Sequence, residues 1–454
     1  GKSPPGVYCL AVGRKKVMSR PSKKLFKLLL ATACLFALSQ TLDAASYRLW
    51  LKDKIRFPYS TATGDTTGGS DCWGWTAPDG TEYAIMGVRD GIAVVNAHTM
   101  QIKGVVPGPQ TPATYYWRDV ETYRHYAYAV SELTGTNQGL SVIDLQYLPD
   151  SLHFVGAFPL NLSGAVTAHT IAIDTTKGFA YCERNGSLGQ PIVILSLANP
   201  EAPAFVGSFG PTTGQSIHDM FARNDTVFVA EGWDGMSQGS WSVWNCANKA
   251  APVLITRVFY PGAGYVHSAW PTENRQWLLT TEEIPAGKTM KLWDIANLGS
   301  ISRRGQYIGA SQIPHNVYPK GNLVFVSHYE AGVTVVDISN PDTLVEVARY
   351  DTYPASDFAN YRGCWSAYPY AANEYVYASN LDGWLFVLRF GQVGDLNFDS
   401  ILSPADVVLA LNCIFSGTGD CPPDILDANC DASVTPADIV SILNAVFGGE
   451  PFPC

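Results

Sequence analysis

Charge is scarce in this chain and most one-sided at its end. Only 15% of the 454 residues are Asp, Glu, Lys or Arg, and beyond Arg389 there is no Lys, Arg or His. Of the 30 basic and 40 acidic residues, 8 and 1 lie in residues 1–45, which leaves a formal charge of about −17 on the remainder. A surface of that sign repels nucleic acid and anionic lipid, so neither is expected as a partner. Long apolar runs are also missing. The stretch Leu28–Leu38 has eleven residues, too few to span a bilayer. No H-E-x-x-H pair and no phosphate-binding glycine loop occurs, which removes two common routes to hydrolysis and phosphoryl transfer.

What is present divides into three parts. In residues 1–45, Lys23, Lys24 and Lys27 precede the apolar run, and the small residues around Ala44 and Ala45 suit cleavage. This is the pattern of a signal peptide, with Met18 as its start and Cys34 inside the apolar run, and it implies a secreted or cell-surface protein. Eight of the ten cysteines lie after it, and outside the cytosol they are expected to pair. Cys413, Cys421, Cys430 and Cys454 allow three connectivities, of which Cys413–Cys421 and Cys430–Cys454 is the favoured one.

Residues 392–454 contain two acidic loops 32 residues apart. Calcium takes six to eight oxygen ligands, supplied in an EF-hand loop by positions 1, 3, 5, 7, 9 and 12. The first loop offers Asp395, Asn397, Asp399, the Ile401 carbonyl, Ser403 and Asp406. The second offers Asp427, Asn429, Asp431, the Ser433 carbonyl, Thr435 and Asp438. Ser403-Pro404 and Thr435-Pro436 then read as an N-cap with proline at the first helical position, opening helices over 407–415 and 439–447. An acidic surface turn could account for one such loop, but not for two with matching caps and helices. The doubled loop-helix resembles a type I dockerin, a paired F-hand module that docks onto cohesin domains. The resemblance implies two Ca2+ sites and a cohesin-like or cell-surface scaffold partner. It departs from the family at loop position 6, where Ser400 and Ala432 replace glycine, and at the recognition positions, which are Pro404-Ala405 and Pro436-Ala437.

Between these parts, residues 46–391 repeat. Seven apolar strands, Ile92–Asn96, Ser141–Asp144, Ile192–Ser196, Trp241–Asn245, Met290–Asp294, Val333–Asp337 and Trp384–Leu388, recur with a period near 49 residues, most of them ending in a small or polar residue. Four strands per unit at that period predicts an all-β seven-bladed propeller. The last unit has only three strands, and the segment Tyr47–Phe57, which stands alone before the first, is expected to complete it and lock the ring. Cys72 and Cys364 fall at equivalent places in the first and last units, so a disulfide between them is weighed as a further closure. The strands around Asp337-Ile-Ser-Asn-Pro341 and Ser196-Leu-Ala-Asn-Pro200, with Pro314-His315-Asn316-Val317, resemble LVIVD repeats and the choice-of-anchor B family. That resemblance implies a secreted propeller joined to an anchoring module and leaves its activity open.

Four of the eight histidines, His169, His218, His267 and His315, open the innermost strands of successive units. Thirteen to fifteen residues later come Glu183, Glu231, Glu282 and His328, at the end of the neighbouring antiparallel strand. Both rows therefore fall at one edge of each blade. In the other blades Trp73, Arg118 and Trp365 align with the first row, and Val88, Glu132 and Asn380 with the second. Such a ring either bonds the neighbouring blade's backbone or surrounds a transition metal or polar ligand at the axis. Three functions remain in view: a binding or scaffold protein displayed through its tail, an extracellular enzyme, and a purely structural adhesin. The enzyme would be metal-dependent at the axis, or carbohydrate-active in polysaccharide catabolism and delivered by the tail.

Overall fold

The computed structural model describes residues 47–59, 67–112, 115–183, 192–211, 215–233, 238–399 and 401–453. The expected signal segment lies outside these residues. Among the described residues, twenty-eight strands form seven four-stranded antiparallel sheets, each consecutive in sequence except the last. In that sheet Trp384–Gln392 pairs on its outer side with Tyr47–Arg56, from Tyr47 opposite Gln392 to Arg56 opposite Trp384. The strand from the beginning of the ring thus finishes its last blade, and the propeller closes by backbone hydrogen bonds.

Burial explains the strand composition. Second and third strands of each blade pack between neighbouring blades on both faces, so Glu82–Val88, Tyr126–Ser131 and Leu140–Asp144 are buried along their whole length. Outermost strands meet solvent and leave Val253, Leu254 and Val345 exposed. The polar residue that ends the third strand has a local role. Asn96, Asp144, Ser196, Asn245, Asp294 and Asp337 each accept a backbone N–H from the residue two positions on. This side-chain turn ends the ladder and starts the loop to the outer strand. The seventh copy has Leu388 there and runs on unbroken to Gln392.

Cysteine pairing follows expectation at Cys413–Cys421 and departs from it in the blades. Cys413 and Cys421 are bonded, and Cys430 is also in a disulfide; its expected partner Cys454 lies outside the described residues. Cys72, Cys182, Cys246 and Cys364 are free thiols, all buried. The Cys72 and Cys364 thiols donate instead to the carbonyls of Tyr377 and Ser366. Burial raises all four thiol pKa values, which keeps them protonated and unreactive.

The tail follows the seventh blade without a spacer. Helices Pro404–Leu411 and Pro436–Leu443 each begin with a complete capping box, Ser403 with Asp406 and Thr435 with Asp438. Each widens into a π turn and ends at a left-handed glycine, Gly417 or Gly449. A four-residue helix, Pro423–Leu426, enters the second loop, an element the sequence pattern did not predict. The helices share a core of Leu396, Val407, Ala410, Ile425, Ile439 and Ile442 that also includes Trp50 of the closing strand. Trp50 stacks on Phe398, and Arg389 pairs with Asp420 at 2.5 Å.

Candidate functional site

The axis is lined by residues that β-bulges turn inward. In the fourth, fifth and seventh blades the inner-strand register slips between Ile217 and Asp219, Val266 and Ser268, and Cys364 and Ser366. The skipped residues are His218, His267 and Trp365. In the third blade His169 N–H donates to Glu183 O and Glu183 N–H to Thr170 O, so two residues again face one. His315 and Asn316 face Ser327 in the same way in the sixth. A bulge adds a residue to one strand and re-aims its side chain.

The result is a closed aromatic ring. Centroid separations are 4.5 Å for His169–His218, 3.8 Å for His218–His267, 4.0 Å for His267–His315 and 4.5 Å for His315–Trp365. Trp117 of the second blade closes it, 5.6 Å from Trp365 and 5.8 Å from His169. On one side the ring opens into a cavity of about 460 Å³ lined also by Glu283, Tyr329, Tyr361 and Arg362. On the other it narrows to a neck of about 40 Å³ lined by Asp71, Asp119, Glu121 and Asp219.

Hydrogen bonds fix two of the imidazole tautomers. His218 Nδ1 lies 2.9 Å from His267 O, and His315 Nδ1 lies 2.5 Å from Trp365 O. A carbonyl only accepts, so Nδ1 carries the proton in both and Nε2 keeps its lone pair. These bonds tie each blade to the next, as the structural reading of the ring requires, and leave the second nitrogen uncommitted. Burial, then the neighbouring imidazoles, lowers the pKa of His218, His267 and His315 well below the usual histidine range. His169 differs. Burial would lower it too, but Glu132 at 2.6 Å, with Glu183 and Asp119, raises it to about 9.

The acids of the neck complete the inner edges of the blades. Asp71 accepts from Val120 N–H, Asp119 from Ile171 N–H at 2.6 Å and Glu121 from Ile173 N–H at 2.8 Å. Each carboxyl thus satisfies the free edge of the next blade's innermost strand. Burial raises Asp71 to about 7, against the hydrogen bonds from Asp119, Ser366 and Val120; burial and then Asp71 push Asp119 well above the carboxylate range. The pair therefore holds a proton near neutrality. A carboxyl raised from 3.8 to about 7 stabilises the fold fully below its unfolded pKa, and the contribution is lost as pH rises through about 7. Asp71→Asn replaces one of the two carboxyls by a permanent donor. The expected result in thermal melts is a shallower fall of Tm between pH 5 and pH 8; a melt profile merely displaced in parallel would contradict this.

Of the second predicted row Glu132 reaches the ring, at His169 Nδ1, and the other members do not. Glu231 turns across its own blade to a bidentate pair with Arg257, at 2.7 and 2.9 Å, and accepts from Ser240 and Ser242. Glu282 pairs with Lys291 at 2.5 Å and accepts from Tyr260. His328 is held by Ser311 and by Gly309 N–H. Glu183 is buried beside His169 and lines neither the cavity nor the neck. Val88 is buried core, and Asn380 donates to Thr352 O. Of the aligned first row, Arg118 is buried against the carbonyls of Val88, Arg89 and Pro109, and Trp117 takes its ring position. Trp73 lies further along the channel, packed at a tilt against Tyr368 and Trp270. Sequence reasoning missed Glu283, whose Oε1 accepts from Tyr329 OH at 2.6 Å and whose Oε2 lies 3.9 Å from His267 Nε2. The available signal was the adjacency of Glu282 and Glu283, since neighbours on a strand face opposite sides. The residues Gly235 to Gly239 have the spacing of a nucleophile elbow, but Gly235, Met236 and Ser237 lie outside the described residues.

The two tail loops have matching internal geometry. Asp406 Oδ1 accepts from Leu396 N–H at 2.9 Å and Oδ2 from Ser403 N–H at 2.9 Å. Asp438 accepts from Asn429 at 3.1 Å, as Asp406 does from Asn397 at 3.3 Å, and from Thr435 at 2.7 Å. Asp427 gathers the N–H groups of Asp431 and Ala432. Ala432, at loop position 6, adopts φ 65°, the left-handed conformation for which glycine is the usual residue. Asp406, Asp427 and Asp438 are buried and enter no ion pair among the described residues.

Among comparisons with known proteins, residues 315–352 match the family model of the LVIVD repeat. That segment is the sixth blade and contains His315. Comparison with curated proteins gives no match. Among solved structures the chain is similar to hydrazine synthase of Kuenenia stuttgartiensis, with 12% identity over 73% of this chain and 97% of that chain and a TM-score of 0.49. The likeness is too distant to bear on function.

Proposed function

We propose that this propeller is a secreted binding component, displayed or assembled through its tail, which acts as a calcium-dependent dockerin-like module for a cohesin-type partner. In this reading the chain is a choice-of-anchor B protein, and its disulfides accord with an oxidising compartment. The observation that carries it is a duplicated apolar surface. Val408 and Val440 are 56% and 54% exposed, and Phe415 and Phe447 are 68% and 70% exposed, at positions 32 residues apart on the two tail helices. Large side chains left in water at equivalent places mark a surface for a partner.

The loops fit calcium by their donor set. All the ligating positions supply oxygen, and Asp406, Asp427 and Asp438 are buried with no ion pair among the described residues to balance them. Asp395, Asn397, Asp399, the Ile401 carbonyl, Ser403 and Asp406 would hold one ion. Asp427, Asn429, Asp431, the Ser433 carbonyl, Thr435 and Asp438 would hold the other. The ion would neutralise those acids and fix the loops that orient the helices.

The test is the binding of a panel of cohesin domains to the full chain, wild type and Val408→Asp/Val440→Asp, in calcium buffer. The expected result is that one or more cohesins bind the wild type, with at least tenfold weaker binding by the double variant, since each anchor lost at an interface costs on the order of 1–2 kcal/mol. A captured cohesin that binds both chains equally, or that stays bound in excess chelator, would remove the docking reading.

A further inference from the structure

The aromatic ring and Glu283 place three metal-binding groups together at the waist of the channel. The ligand atoms of His267, Glu283 and His315 all lie within 4.8 Å of one another. The two imidazoles are 2% and 1% exposed, so their polar atoms have little recourse to solvent. His315 Nε2, which keeps its lone pair because Nδ1 donates to Trp365 O, is buried with no hydrogen-bond partner among the described residues. An acceptor left in that state has given up its hydration without a replacement partner. Glu283 is oriented in a complementary way. Tyr329 holds its Oε1, and Oε2 stands 3.9 Å from His267 Nε2, too far for a hydrogen bond. Ligand bonds of about 2.0–2.1 Å around a tetrahedral ion put neighbouring ligand atoms roughly 3.4 Å apart. The His267–Glu283 gap needs a closure of about half an ångström to reach that spacing, and separations within the group of up to 4.8 Å need one of up to about 1.4 Å.

We propose that His267, His315 and Glu283 bind one divalent first-row transition ion of the zinc class. Two imidazoles and one carboxylate are borderline ligands, which select zinc-like ions over calcium or magnesium. The hydrogen bonds Nδ1–H to Trp365 O and Tyr329 OH to Glu283 Oε1 are the outer contacts that hold such ligands in orientation. His169 takes no part, because its Nδ1 is engaged by Glu132. Three protein ligands leave at least one position on the ion for water or a bound molecule, and His267 and Glu283 both border the 460 Å³ cavity. The site is independent of the tail and of the docking reading.

The experiment is metal analysis of the full chain, purified without chelator or affinity metal, then equilibrated with equimolar zinc in calcium buffer and passed over a desalting column. The wild type is expected to retain one zinc per chain, and so is Asp427→Ala, which alters only the tail. Glu283→Gln keeps the size of the side chain and an acceptor for Tyr329, and is expected to lower zinc affinity at least tenfold in a competition titration, as is His315→Ala. Circular dichroism of both variants separates loss of ligand from loss of fold, and Glu283→Gln alone decides if His315→Ala does not fold. A wild type that retains no zinc, or a Glu283→Gln chain that binds it as the wild type does, overturns the proposal.

Discussion

Removing the last acidic residue of both loops, by Asp406→Ala with Asp438→Ala, is expected to unfold the tail while the blades remain intact. Each carboxylate is the acceptor for N–H groups on both sides of its loop and the third residue of its helix's capping box. Leaving one buried N–H without an acceptor costs about 1–3 kcal/mol, and losing a cap about 1 kcal/mol more. For a module of this size the total stability is on the order of 3–9 kcal/mol, so two such losses are sufficient. Trp50 makes the event visible, because it belongs to the closing strand of the propeller yet is buried in the tail's core. The expected readout is exposure of that indole in fluorescence and loss of hydrogen-exchange protection over 393–453, with protection kept over 118–350. Excess chelator should produce the same change in the wild type. A tail that stays protected in the double variant would show that the loops are ordered by their own hydrogen bonds and need neither carboxylate.

The second large effect concerns closure. A chain beginning at residue 57 lacks the strand Tyr47–Arg56, which leaves Trp384–Gln392 as an open edge and uncovers the places of Leu49 and Trp50. Burying two side chains of that size contributes roughly 3–6 kcal/mol, and the nine paired positions add their backbone bonds. An exposed apolar edge is also a template for association between chains. The truncated chain is expected to be recovered as aggregate, and a synthetic peptide of residues 47–57 added during refolding should restore soluble propeller by strand addition. Equal solubility and Tm with and without the strand would contradict the closure.

Much of this fold was legible because its repeats are short-range statements. Asn96, Asp144, Ser196, Asn245, Asp294 and Asp337 stand out in sequence for the same reason they matter in structure, since each bonds a backbone N–H two residues away. The helix starts at Ser403 and Thr435 were readable on the same terms. The axial site was half legible. The histidine row could be found by spacing, but which acids face it depends on strand parity. A bulge reverses parity between its two sides, and the inner strands carry one at the position that matters. Hence Glu282 was read toward the axis where Glu283 points; Arg118 was read where Trp117 stands on a strand that pairs without a slip. The buried thiols misled for a different reason. The expectation of secretion argues for pairing, but Cys72 and Cys364 meet carbonyl oxygens rather than each other.

Calcium is the premise of the proposed function, and a direct count tests it. Isothermal titration of the full chain, stripped with chelator and desalted, is predicted to show two calcium ions bound per chain, one of them lost in Asp427→Ala. A chain that takes up no calcium, or that binds it equally well without Asp427, would contradict the account of the tail and with it the display function.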